Sequence, residues 1–210
     1  MNQPSGAYTS ISVNERGVVL FEQHCARLAP AGSECVLAFR RFAASAARGV
    51  YSIRAQRDGL EVTPRGPSAL VDGISTRLLS SPYLDRVGCY AKPLPPSRYD
   101  DVRIRGVATL LTSADGTELF ESCTASVIVW TGERLITPPL DRPAVASTAI
   151  AALHASGLIT FAPIATDSAE PLALVNAVAG VCEPAIATRG PFPKDVRERL
   201  EALFVELTVR

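Results

Sequence analysis

Lysine is nearly missing from this chain. Nineteen of its 21 basic side chains are arginine, and only Lys92 and Lys194 carry a side-chain primary amine. Any chemistry that runs through a lysine nitrogen therefore has two candidate residues. Net charge is missing as well, because 21 acidic groups balance the 21 basic ones. No global field draws the protein onto nucleic acid or an anionic membrane, so neither is expected as a partner and a small-molecule ligand is. The cysteines Cys25, Cys35, Cys89, Cys123 and Cys182 are odd in number and scattered. They lack the short pair spacings of a zinc site or a disulfide framework, so no metal is expected and a reducing cytoplasm is the expected compartment. A glycine-rich phosphate loop and internal repeats are also lacking. The first ten residues, MNQPSGAYTS, contain no basic run followed by an apolar stretch, so a secretory signal is not expected. The longest apolar region, 143–164, is interrupted by His154 and Pro163 and reads as a helix and a strand instead of a membrane span.

What is present is 210 residues, 47% of them hydrophobic, enough to bury a core in one domain or two small lobes. Residues 6–21 alternate apolar and polar side chains around Asn14 to Gly17, which predicts a β-hairpin. Phe21, His24, Cys25 and Leu28 recur at helical spacing before Pro30, and an alanine-rich helix is expected over 34–48. A second antiparallel pair is expected around Asp58-Gly59. Prolines then accumulate at 64, 67, 82, 93, 95 and 96, which argues for a connector. Short strands resume at 107–113, ELFES, SVIVW and RLIT, expected as an all-antiparallel run. A helix over 143–155, with Pro143 in its first turn, and two more strands follow. The closing segment places Val196, Leu200, Leu203, Phe204 and Leu207 on one helical face. The expected architecture is an α+β fold with an N-terminal lobe at 1–65, a proline-rich connector at 66–106, and a mostly antiparallel lobe with outer helices at 107–210.

Three stretches carry a resemblance. GAYTS with RGVVLFEQHCARL, TSADGTELFESCTASVIVWTGERLITPPLD at 112–141, and ALVNAVAGVCEPAIA at 173–187 lie in the order found in class IV aminotransferases, a group that includes branched-chain aminotransferases and aminodeoxychorismate lyases. The chain resembles a divergent, shortened member, with the loss concentrated between 60 and 110. That resemblance implies a two-lobed fold with antiparallel sheets, a homodimer, and pyridoxal phosphate held between the lobes by a Schiff-base lysine, a glutamate on the pyridine nitrogen, and an arginine with a helix N-terminus on the phosphate.

Glu121 stands at the position of the pyridine-binding carboxylate, or is a strand-end carboxylate meeting solvent. Lys92 is the lysine in the right region. An alternative register puts Pro82 at the lysine position, which no imine tolerates, and leaves Lys92 as a loop lysine. Ser12 matches the phosphate arginine. Ser147 and Thr148 fall where a glycine-led turn begins the phosphate-binding helix, and Ser126 replaces an asparagine. His24 and His154 read as packing histidines, and Cys123 as a buried thiol without a partner base. Two functions stay open. In one the cofactor site has decayed, leaving a small-molecule cleft or a subunit-interaction protein, which the several losses at one site favour. In the other the chain is an active transaminase or lyase of a small amino acid that uses Lys92 and Glu121.

Overall fold

The computed structural model describes residues 6–56, 59–92 and 98–209. The N-terminal unit opens with β1 (Gly6–Asn14), whose alternate residues Thr9, Ile11 and Val13 are buried. It turns into the short β2 (Gly17–Val18), so the hairpin is present with one very short arm. Next come α1 (Phe21–Leu28) and α2 (Ser33–Ser45), then the antiparallel pair β3 (Gly49–Gln56) and β4 (Gly59–Arg65). Residues 57 and 58, the rest of the expected turn, lie outside the described residues. The sheet runs β2-β1-β3-β4, and its apolar face closes on Phe21, Cys25, Leu28, Cys35 and Phe39 of the two helices.

The proline-rich stretch is not all connector. It contains β5 (Ser75–Ser80), which pairs in parallel with β6 (Val107–Thr112), and the one-turn α3 (Arg98–Val102). Prolines 93, 95 and 96 lie outside the described residues. After β6 come β7 (Glu118–Ser122), β8 (Ser126–Trp130) and β9 (Leu135–Thr137), followed by α4 (Thr148–Ala155), β10 (Ile159–Phe161), β11 (Ile164–Ala165), β12 (Leu172–Asn176), β13 (Gly180–Cys182) and α5 (Lys194–Glu206). Two sheets result, ordered β11-β7-β6-β5 and β10-β9-β8-β12-β13. Within the expected antiparallel run, β6 pairs with β7 and β8 with β9 antiparallel, whereas its outer neighbours, β5 on β6 and β10 on β9, pair in parallel. One apolar cluster fills the space between these sheets, and a second lies under α4 and α5, where Val196, Leu200 and Phe204 are buried as the closing helical pattern predicts.

Leu20 ties the N-terminal unit to the rest. It precedes α1 with φ of 55°, the one positive φ outside glycine among the described residues, and it is fully buried in the cluster under α4 and α5. A left-handed leucine costs on the order of 1–2 kcal/mol. Burying the side chain offsets about that much or more.

Among the described residues, no helix is long and apolar enough to cross a membrane.

Candidate active site

A cavity of about 570 Å3 is lined from β1, α1, β4, the end of β7 and the segment between β7 and β8, β12, and the region around Lys92. That volume suits a small-molecule ligand. Four of the five residues singled out for the cofactor site line it: Lys92, Glu121, Ser147 and Thr148. Ser12 does not. It shares a strand face with Tyr8 and Ser10, both of which line the cavity, but sits two residues farther along β1, roughly 7 Å away.

The position of Glu121 depends on an irregularity that alternation does not predict. Leu119 pairs with Thr112 and Glu121 pairs with Leu111, so three residues of β7 oppose two of β6 around Phe120. Without this bulge Leu119 and Glu121 would share a face. With it, Leu119 enters the core between the sheets while Glu121 joins the face of Leu111, Tyr83 and Tyr99. Glu121 is buried, so the solvent-facing reading of this residue is corrected. Its Oε1 accepts hydrogen bonds from the Tyr99 and Tyr90 hydroxyls, and Oε2 accepts one from the Val145 amide at 3.0 Å. Burial pushes its pKa up to about 7, against the pull of the Tyr99, Val145 and Tyr90 bonds and of Lys92.

Residues 143–147 are not helical, and this is the second departure from expectation. Their backbone pairs with Tyr90 instead: Tyr90 N–H donates to Ala144 O and Ala146 N–H donates to Tyr90 O. The helix therefore begins at Thr148, capped by Ser147, whose hydroxyl accepts from the Ile150 amide at 3.3 Å. The same pairing lays the Tyr90–Lys92 segment beside the start of α4. Lys92 Nζ donates to Ser10 Oγ at 3.5 Å and lies 5.0 Å from the centre of the Tyr8 ring. Burial, then the charges of Arg27, Arg65 and Arg103, lower its pKa to about 7. Pro82, the alternative at the lysine position, is not among the residues lining the cavity, and its carbonyl accepts from Arg98.

Arg27 is the residue that strand matching missed. It projects from the last turn of α1 into the cavity and donates to Ala146 O, immediately before the α4 cap. Burial lowers its pKa to about 10, still cationic at neutral pH. A guanidinium beside capped helix amides is the arrangement that holds an anion. Its sequence signal was the Ala26-Arg27-Leu28 ending that carried the resemblance. Tyr90 and Tyr99 had no signal of their own, because only the fold brings them to Glu121. Ser126 lines the cavity too.

The remaining candidates stay outside the chemistry. His24 is buried against Thr9 Oγ1 at 2.7 Å, and burial with the nearby Arg27 and Lys92 charges lowers its pKa to about 3, so it stays neutral. His154 packs on Phe161. Cys123 borders the cavity, but burial raises its thiol to about 11 and keeps it protonated. Lys194 is an exposed residue at the start of α5, facing Glu198.

No family model and no curated protein matches the sequence. Solved structures do match. A hypothetical aminotransferase from Mycobacterium tuberculosis, in its PLP-bound form, superposes with a TM-score of 0.68 at 19% identity, covering 98% of this chain and 89% of the other. The 4-amino-4-deoxychorismate lyase from Pseudomonas aeruginosa gives 0.66 at 16% identity, over 97% and 91%. Branched-chain aminotransferase from Thermoproteus uzoniensis gives 0.63 at 15%, over 96% and 86%. The chain has the class IV aminotransferase fold. Within that fold, these identities speak for architecture only.

Proposed function

We propose that the chain is a pyridoxal phosphate-dependent transaminase or lyase of a small amino acid or amino-substituted acid. The observation that carries this reading is that the amine of Lys92 and the carboxyl of Glu121 face one cavity, each with a pKa near 7. The donor set fits the cofactor. Arg27, with Ser147 and Thr148 at the start of α4, would hold the phosphate, Glu121 the pyridine nitrogen, and Lys92 the aldehyde carbon. When bound, pyridoxal phosphate supplies a carbonyl and an electron-withdrawing ring. Lys92 Nζ, half of it unprotonated near neutral pH, can take a proton from a substrate carbon and return it. Glu121, fixed by two phenols and an amide, presents its carboxyl without reorganising.

A second reading, that the fold has kept a cleft and lost the cofactor, draws on one observation: both Glu121 oxygens are already bonded to protein donors. An absorbance spectrum with and without added pyridoxal phosphate separates the two. The first reading expects a yellow protein whose visible band disappears in Lys92→Ala. A colourless protein that takes up no cofactor selects the second.

We also propose a homodimer in a reducing cytoplasm. Leu84, Val87 and Leu140 are exposed on adjoining loops, joined by the Cys89 amide to Leu140 O bond, and they form apolar surface that a second copy would cover.

A further inference from the structure

Lys92 is a primary amine set among cations. Its hydrogen-bond partner is the neutral Ser10 hydroxyl at 3.5 Å, whereas Lys194 has the Glu198 carboxylate at 3.7 Å. Arg27 and Arg65 line the same cavity and are held by uncharged groups, Arg27 by Ala146 O and Arg65 by the Ser10 and Tyr8 hydroxyls at 3.0 and 3.5 Å. Arg103 lines it too, 3.8 Å from Asp100. Glu121, the carboxylate that shares the cavity, acts on Lys92 less than any of these three guanidiniums, and its oxygens are bonded to Tyr90, Tyr99 and the Val145 amide. Burial and the guanidiniums hold the amine at about 7, so about half of it is the free base at neutral pH.

We infer that Lys92 Nζ takes up carbon dioxide and is held as a carbamate anion by the guanidiniums that line the cavity. The lone pair of the free amine forms a bond to the carbon of carbon dioxide, one carbon–oxygen π bond opens onto its oxygen, and one N–H proton leaves to water. Amine and carbon dioxide become carbamate and a proton, with nothing oxidised or reduced. Charge selects this product. A protonated amine adds a cation where three guanidiniums already repel it, whereas the carbamate puts an anion there. Ser10 Oγ accepts from Arg65 and from Lys92, which leaves its own O–H to donate to the new anion. The modification requires the Lys92 amine and not pyridoxal phosphate, so it does not rest on the cofactor reading, and while it lasts it withholds the amine from any aldehyde.

The test uses the full chain dialysed free of small molecules, equilibrated with bicarbonate as the source of carbon dioxide and then treated with triethyloxonium, which transfers an ethyl group to the carbamate oxygen and fixes it. Peptide mass spectrometry should find an ethoxycarbonyl group on Lys92 and none on Lys194. At subsaturating bicarbonate Arg103→Met should lower the trapped fraction at least about threefold, because losing one cation both makes the amine more basic and removes attraction for the carbamate. Arg103→Lys, which keeps the charge, should trap as the wild type does. Propanal with borohydride should still label Lys92 in Arg103→Met, which reports that this variant is folded and its amine reachable. Trapping that is unchanged in Arg103→Met overturns the inference, and so does the absence of an ethoxycarbonyl group on Lys92. A protein that gives no visible band with pyridoxal phosphate, yet is trapped as the Lys92 carbamate, loses the cofactor reading and keeps this one.

Discussion

Lys92 and Glu121 are displaced toward neutrality from opposite ends of the pH scale, and the displacement has a measurable sign. Lys92 falls from 10.5 to about 7, so between those values the unfolded chain binds more protons and stability rises with pH. Glu121 climbs from 4.5 to about 7, so the folded chain binds more protons across that interval and stability falls as pH rises. In the wild type His24, held at about 3 in the fold, makes stability rise with pH up to about 6.5 and offsets the Glu121 limb, and the raised Cys123 and Cys182 thiols oppose the Lys92 limb above about 9, so chemical denaturation across pH reads each limb as a difference between wild type and variant. Glu121→Gln should remove the loss between about 4.5 and 7, leaving a curve that rises more steeply there than the wild type's, and Lys92→Met should remove the gain between about 7 and 10.5. Limbs unchanged in both variants would mean that neither group is held as described. The identities of both residues were legible in the sequence, Lys92 from the scarcity of amines and Glu121 from its flanking resemblance. Their surroundings were not, because Tyr90, Tyr99 and Arg65 are distant from them in sequence or carry no motif.

At the scale of elements, alternation and helical spacing located most strands and helices, since those patterns report burial on one face. They failed where a backbone found a different partner. Residues 143–147 pair with Tyr90 and so delay the helix by five residues relative to the expected start at Pro143. The bulge at Phe120 breaks the alternation on which a period-of-two reading depends, and that break turns Glu121 into the cavity. Two substitutions test this level. Ser147→Ala removes the α4 cap and should cost about 1 kcal/mol in a denaturant titration. Leu20→Ala removes the fully buried side chain that the N-terminal unit inserts under α4 and α5, and should cost roughly 2–5 kcal/mol. A negligible loss for Leu20→Ala would contradict the packing described between the two units.

For the whole molecule, the α+β class followed from the order of the patterns, whereas the strand hidden in the proline-rich stretch did not. Ser75–Ser80 pairs in parallel with β6, and a parallel partner leaves no turn signal beside it. Assembly belongs to this scale too. Sedimentation equilibrium should report a dimer, and Val87→Asp, which puts a charge on a side chain 94% exposed in the single chain, should shift it toward monomer. A wild-type monomer at all concentrations would remove the proposed dimer without touching the site.

The central claim is that the Lys92 amine meets a carbonyl inside the cavity between β1 and Glu121. Its most direct test is to incubate the protein with pyridoxal phosphate, reduce with borohydride and map the product by peptide mass spectrometry. The account predicts a phosphopyridoxyl group on Lys92, lost in Lys92→Ala and weakened in Arg27→Met. Labelling confined to Lys194, or none at all, would contradict it.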